Sequence, residues 1–88
     1  MSDKTLEKLR KKIDKCDKNI CKQLVDRFSV VQKIKVYKKL HNIAILDPKR
    51  ESVVKSKARN LVGKKMPTNS VENIFNTIMD ETKKAQKK

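Results

Sequence analysis

One arginine of this chain stands where a lysine could not do the same chemistry. The sequence contains twenty lysines and four arginines, so lysine is its ordinary cation. Arg50 follows an Asp-Pro pair and directly precedes Glu51. A guanidinium presents a rigid fork of N–H donors that can grip a carboxylate at two points, whereas an ammonium is a point charge. The placement of Arg50 therefore favours a site for a carboxylate ligand.

Further cations fall on an apolar face of a long first helix that the sequence predicts. At about 100° per residue, Arg27 and Lys38 share one line of the helix and Arg10 stands at its edge. A cation on such a face loses hydration unless an anion meets it. Each alone could extend its charged end to water, but together they indicate an anionic ligand. The apolar residues of this line are Leu9, Ile13, Cys16, Ile20, Leu24, Val31 and Ile34.

Polar residues also interrupt the apolar faces of two shorter predicted helices. In the second helix Arg50 lies on the same face as the apolar residues, and Glu51 is the next residue in sequence. Charged residues in the first turn of a helix are often only surface charges, which is the alternative interpretation of this pair. In the third helix Thr82 and Gln86 continue the apolar stripe. That stripe consists of Val71, Ile74, Phe75 and Ile78, with Ala85 near its end.

The helix boundaries follow from one glycine and two prolines. The first helix is expected from about Thr5 to about Leu40, because neither residue type interrupts that range. Asp47 is the predicted N-cap of the second helix, with proline at its first position, and Gly63 suits its end. The third is expected to begin around Thr68 or Asn69 and to continue toward Gln86. With no β-hairpin signal, the predicted class is all-α.

The first helix carries a second apolar group on roughly the opposite side. A helix that is apolar on two sides is normally buried on two sides, and the two shorter helices cannot cover both. Eighty-eight residues, of which 36% are hydrophobic, allow one domain over residues 1–88 with a marginal core of its own. An intertwined homodimer is therefore expected. The second group comprises Cys21, Val25, Phe28, Val36 and Leu40.

The net charge of +14 leaves a nucleic-acid-binding module as an alternative. Its three aromatic residues are too scattered to stack the bases of a single strand. His41 is the only histidine, so a metal site is not expected. No stretch approaches the roughly 20 apolar residues of a membrane span, and the first residues do not resemble a signal peptide. A cytoplasmic protein with reduced cysteines is expected.

Three segments make the sequence resemble a known family. They read LRKKIDKCDKNICKQLVDRFSVVQKIKVYKK, LDPKRE and TIMDETKKAQ. Their combination of Leu-Arg-x-x-Ile-Asp, a mid-helix Asp-Arg, a lysine eleven residues later, Asp-Pro-x-Arg-Glu and a final hydroxyl-x-x-x-Gln resembles the all-helical, AroQ-type chorismate mutase family. The resemblance implies an intertwined dimer of three-helix chains, with no cofactor. It also implies the rearrangement of chorismate to prephenate, on the route to phenylalanine and tyrosine.

The resemblance also implies a role for each candidate residue. Arg27, together with Arg10 from the other subunit, would hold the two substrate carboxylates. Lys38 would reach a carboxylate and the ether oxygen, and Gln86 would donate to the ether oxygen. Arg50 would support the binding of the carboxylates. Glu51, with the backbone near Asp47, would accept a hydrogen bond from the ring hydroxyl, and Thr82 would make a lesser contact with a carboxylate.

Such a reaction agrees with the residue inventory. A sigmatropic rearrangement needs no nucleophile, no proton transfer and no redox group, and the sequence has no Ser/His/Asp or Cys/His arrangement. The rivals are an isochorismate-pyruvate lyase of the same fold, a basic nucleic-acid-binding module, and a non-catalytic regulatory dimer. The lyase shares much of the residue set, so only substrate tests separate it from the mutase.

Arg27→Lys is expected to lose most mutase activity with little loss of fold, because the charge remains but the fork does not. Preorganised groups of this kind typically contribute about 3 to 4 kcal/mol to transition-state stabilisation. Steady-state kinetics, with circular dichroism as the fold control, check this. Full activity in Arg27→Lys would contradict the need for a guanidinium.

Overall fold

Three α-helices make up most of the computed structural model, which describes residues 3–87. They are α1 (Lys4–Leu40), α2 (Pro48–Val62) and α3 (Thr68–Lys87). Within the described residues there is no β-strand, so the predicted all-α class is confirmed. No helix in that part of the chain combines the length and apolar character needed to cross a membrane.

The first 27 residues of α1 belong to one of two compact units, which divide between Val30 and Val31. The helix begins where Asp3 Oδ1 accepts hydrogen bonds from the backbone N–H groups of Thr5 and Leu6, at 2.9 and 3.2 Å. These bonds satisfy donors that a helix start leaves without partners. Between residues 3 and 30 every side chain is exposed except that of Arg27, which is half-buried.

The second unit begins with the last ten residues of α1 and contains α2 and α3. Asn42 ends α1 in the left-handed region with φ +56°, which asparagine tolerates better than most residues. The N–H of Ile43 donates to the carbonyl of Lys38 at 2.9 Å. This bond closes the helix in the manner of a Schellman motif.

Both ends of α2 agree with the sequence prediction. Asp47 is the N-cap, and its Oδ1 accepts from the backbone N–H of Arg50 at 3.0 Å. Pro48 occupies the first turn, where its missing N–H costs nothing. Gly63 ends the helix with φ +54°, a conformation that strains other residues, and donates its N–H to the carbonyl of Arg59 at 3.0 Å.

Helix α2 packs on α3, and a small apolar core lies in this second unit. Its buried apolar residues are Val31, Ala58, Val71 and Met79. The predicted stripe on α3 needs one correction, because Ile74 is half exposed while Met79 is buried. The line through Val71 and Gln86 passes closer to Met79 than to Ile74 at about 100° per residue. The core face is therefore rotated toward Met79.

An ion pair also joins α2 to α3. Arg59 Nη1 donates to Glu72 Oε1 at 2.6 Å. Arg59 is the one arginine that the sequence argument left outside the candidate site. Its short bond to a carboxylate on the neighbouring helix gives it a structural role within the second unit.

Candidate functional site

The candidate residues are distributed over both units. Arg10 and Arg27 lie in the first unit, where Arg10 is exposed and Arg27 is half-buried. The second unit contains the other six, which are Lys38, Asp47, Arg50, Glu51, Thr82 and Gln86. Within the first unit, Arg27 is less exposed than the apolar side chains on either side of it, Leu24 and Phe28.

Lys38 ties the end of α1 to the loop before α2. Its side chain is half-buried, and Nζ donates to the carbonyl of Ile45 at 3.1 Å. An ammonium has three N–H donors, so this bond leaves donor capacity for a ligand. The contact fixes the direction of the side chain while the positive charge remains.

The first turn of α2 positions three candidate residues by one capping interaction. The Asp47 carboxylate is engaged by the backbone of Arg50, and the N–H of Glu51 donates to the carbonyl of Asp47 at 3.1 Å. The Arg50 side chain itself is exposed, whereas Glu51 is half-buried. Asp47 therefore has a structural role that is independent of any ligand.

Glu51 meets α3 through a lysine that the sequence argument missed. Lys83 Nζ lies 3.2 Å from Glu51 Oε1 and 3.4 Å from Asp80 Oδ1. The hydrogen bond and charge of Glu51 raise the pKa of the Lys83 ammonium above its ordinary value; burial opposes this rise, and the hydrogen bond and charge of Asp80 add smaller contributions to it. The available signal was its position directly after Thr82 and three residues after Asp80. The pair places the first turn of α2 beside the last turns of α3.

Thr82 and Gln86 lie one turn apart on α3. Thr82 is half-buried, and its Oγ1 donates to the carbonyl of Ile78 at 2.9 Å. Gln86 is 8% exposed, the one buried polar residue in the described part of the chain. Its Oε1 accepts no hydrogen bond from residues 3–87. A buried amide with an unpaired oxygen is destabilising, so this position calls for a reason other than stability.

The second unit thus offers an ammonium, a carboxylate, a hydroxyl and an amide, all on helices or at a helix end. These groups can donate to and accept from a polar ligand. Among the described residues no three His, Cys, Asp or Glu side chains are grouped as metal ligands. The arrangement suits binding and orientation of an anion with a hydroxyl group.

Gln86→Met is expected to raise the free energy of unfolding by about 1 kcal/mol, because it replaces an unsatisfied amide with an apolar side chain of similar size. Chemical denaturation at matched protein concentration measures the change. Asn76→Met, at an exposed position of the same helix, is the control and should change stability by less than about 0.5 kcal/mol. A loss of stability in Gln86→Met would mean that the amide has a stabilising partner in the protein.

Comparison with protein-family models identifies a family that the sequence resembles over most of its length. No curated protein matches the sequence. The family model described as Chorismate mutase type II matches residues 9–87. This range covers α2, α3 and most of α1 and includes all eight candidate residues. Because the match extends over far more than half of the sequence, the chain belongs to the chorismate mutase type II family.

Proposed function

We propose that this protein is a chorismate mutase that converts chorismate to prephenate in the biosynthesis of phenylalanine and tyrosine, in the cytoplasm. The family match over residues 9–87 is the observation that carries the proposal. The burial of the Gln86 amide near the end of α3 supports it, because this family's reaction gives a buried amide N–H donor a purpose.

The reaction makes limited demands on the protein. In the rearrangement a C–O bond of the ether breaks while a C–C bond forms in the same molecule, and negative charge builds on the ether oxygen. The protein therefore has to hold a flexible dianion in its reactive conformer and aim donors at that oxygen. Neither task needs a nucleophile or a proton acceptor.

Lys38 and Gln86 are the proposed donors to the ether oxygen. The Ile45 carbonyl orients the Lys38 ammonium, which keeps donor capacity. The Gln86 amide is buried and does not titrate, so its contribution does not depend on pH. A donor in a site with little water is worth more than the same donor in bulk solvent.

The remaining candidate residues bind and orient the substrate in this proposal. Arg27 and Arg10 hold the carboxylates through guanidinium forks, and Arg50 supports them. Glu51, with the backbone near Asp47, accepts a hydrogen bond from the ring hydroxyl. Thr82 makes a lesser carboxylate contact.

The homodimer is part of the same proposal. Large apolar side chains of α1 are exposed in the single chain, including Leu9 at 50% and Phe28 at 56%. They represent the two predicted apolar sides of the helix. Contiguous exposed apolar surface is characteristic of an interaction site, and a second copy of α1 matches it in length. Arg10 would then reach the site of the other subunit.

Arg10→Ala and Arg27→Ala subunits, each inactive alone, are expected to recover activity when mixed. If Arg10 serves the opposite subunit's site, each mixed dimer has one intact site, and random exchange gives about a quarter of wild-type activity. Activity after exchange, verified by mass spectrometry of tagged subunits, tests this. Failure to recover after verified exchange would contradict the shared site.

The purified protein is expected to consume chorismate and release prephenate. Loss of chorismate absorbance, with chromatographic identification of the product, measures this, and isochorismate is tested in parallel. Pyruvate release from isochorismate without prephenate formation would assign the lyase reaction instead. Inertness toward both, with tight sequence-selective binding in a gel-shift assay, would favour the nucleic-acid-binding module.

A further inference from the structure

The contact between Lys83 and Glu51 is not among the interactions that the family resemblance implies. It joins the first turn of α2 to α3 at 3.2 Å, and both side chains are about two-thirds buried, with exposures of 31% and 29%. Asp80, at 3.4 Å from the same ammonium, is more exposed at 64%. Lys83 thus bridges two carboxylates, and the more buried of them is the candidate hydroxyl acceptor.

The neighbouring Lys84 shows what an ordinary lysine on this helix does. Its Nζ lies at the same distance, 3.2 Å, from Glu81 Oε1, but both residues are on α3 and their side chains are 70% and 65% exposed. An exposed pair within one helix contributes little and orients nothing else. Lys83 differs because it crosses between helices and restrains a carboxylate in a less hydrated place.

A carboxylate at the proposed site creates an electrostatic problem. The substrate carries two negative charges, and an unpaired Glu51 would repel it. An unpaired glutamate also rotates about its side-chain bonds, so its oxygens would have no fixed direction. A cation on one oxygen addresses both difficulties, because it offsets the charge and fixes the orientation.

We propose that Lys83 is a positioning residue for Glu51. Its ammonium holds Oε1, and the other carboxylate oxygen is left to accept the hydrogen bond from the ring hydroxyl of the substrate. The inference rests on the proposed function, which assigns the hydroxyl to Glu51. Lys83 itself does not touch the substrate in this scheme.

Lys83→Met is expected to lower kcat/KM for chorismate about tenfold, the effect of losing one hydrogen bond to a charged group. The matched control Lys84→Met should stay within about twofold of wild type, because its ion pair is exposed. Lys83→Arg, which keeps the cation, should restore most of the loss. Circular dichroism and thermal unfolding establish that each variant is folded.

A further readout separates positioning from a merely structural link between helices. In a Glu51→Gln background, Lys83→Met should have little additional effect, since the two residues act as one unit.

The possible outcomes are distinct. Equal kcat/KM in Lys83→Met and Lys84→Met would overturn the inference, as would a full Lys83→Met effect in the Glu51→Gln background. If the wild-type protein leaves chorismate unchanged, the proposed function fails and the positioning role fails with it. A loss in Lys83→Met that Lys83→Arg reverses, and that is absent in the Glu51→Gln background, supports the inference.

Discussion

A 37-residue helix with apolar side chains on two sides cannot be covered by helices of 15 and 20 residues. Among residues 3–87 the apolar core is limited to the second unit, while the first 27 residues of α1 expose almost all of their side chains. Apolar burial is the main favourable term in folding, so most of the stability that α1 could gain requires a further surface. In the proposed homodimer, a second copy would supply both apolar core and ligand-binding side chains, so this constraint would link assembly to function.

The buried and half-buried polar groups of the second unit reduce the folding stability of a small protein. Gln86 is buried with an unpaired oxygen, and Lys38 and Glu51 are half-buried. Each is restrained by rigid elements, and Lys38 and Glu51 are further held by a backbone carbonyl and by the Lys83 ammonium. Such preorganisation is what a rearrangement without chemical intermediates needs from a protein. The same groups would contribute little to a reaction that depends on a strong nucleophile.

Local signals explain why the helices could be predicted from the sequence. The Asp47 cap, the adjacent proline and Gly63 act within a few residues of themselves, so α2 was placed at both ends. Gln86 was expected on an apolar stripe and is buried. Ile74 was predicted to lie on the core face of α3, but Met79 is buried instead, because the rotation of α3 about its axis depends on how α2 packs against it. Lys83 was not identifiable among twenty lysines, since its pairing with Glu51 is a tertiary contact. The grouping of Arg10 and Arg27 with the other candidates remains a prediction.

The turn after α1 gives Lys38 two separate duties. Its carbonyl accepts the N–H of Ile43, and its ammonium donates to the carbonyl of Ile45, so one residue clamps the loop at two points. Replacing this side chain would remove its hydrogen bond to Ile45, so the loop that leads to Asp47 and the N-cap of α2 would be less restrained. A kinetic defect in a Lys38 variant would therefore have two causes, the loss of the positive charge and the greater mobility of the loop. A lysine analogue with a side chain of different length, which keeps the ammonium, would separate the effect of the lost charge from the effect of the lost loop restraint.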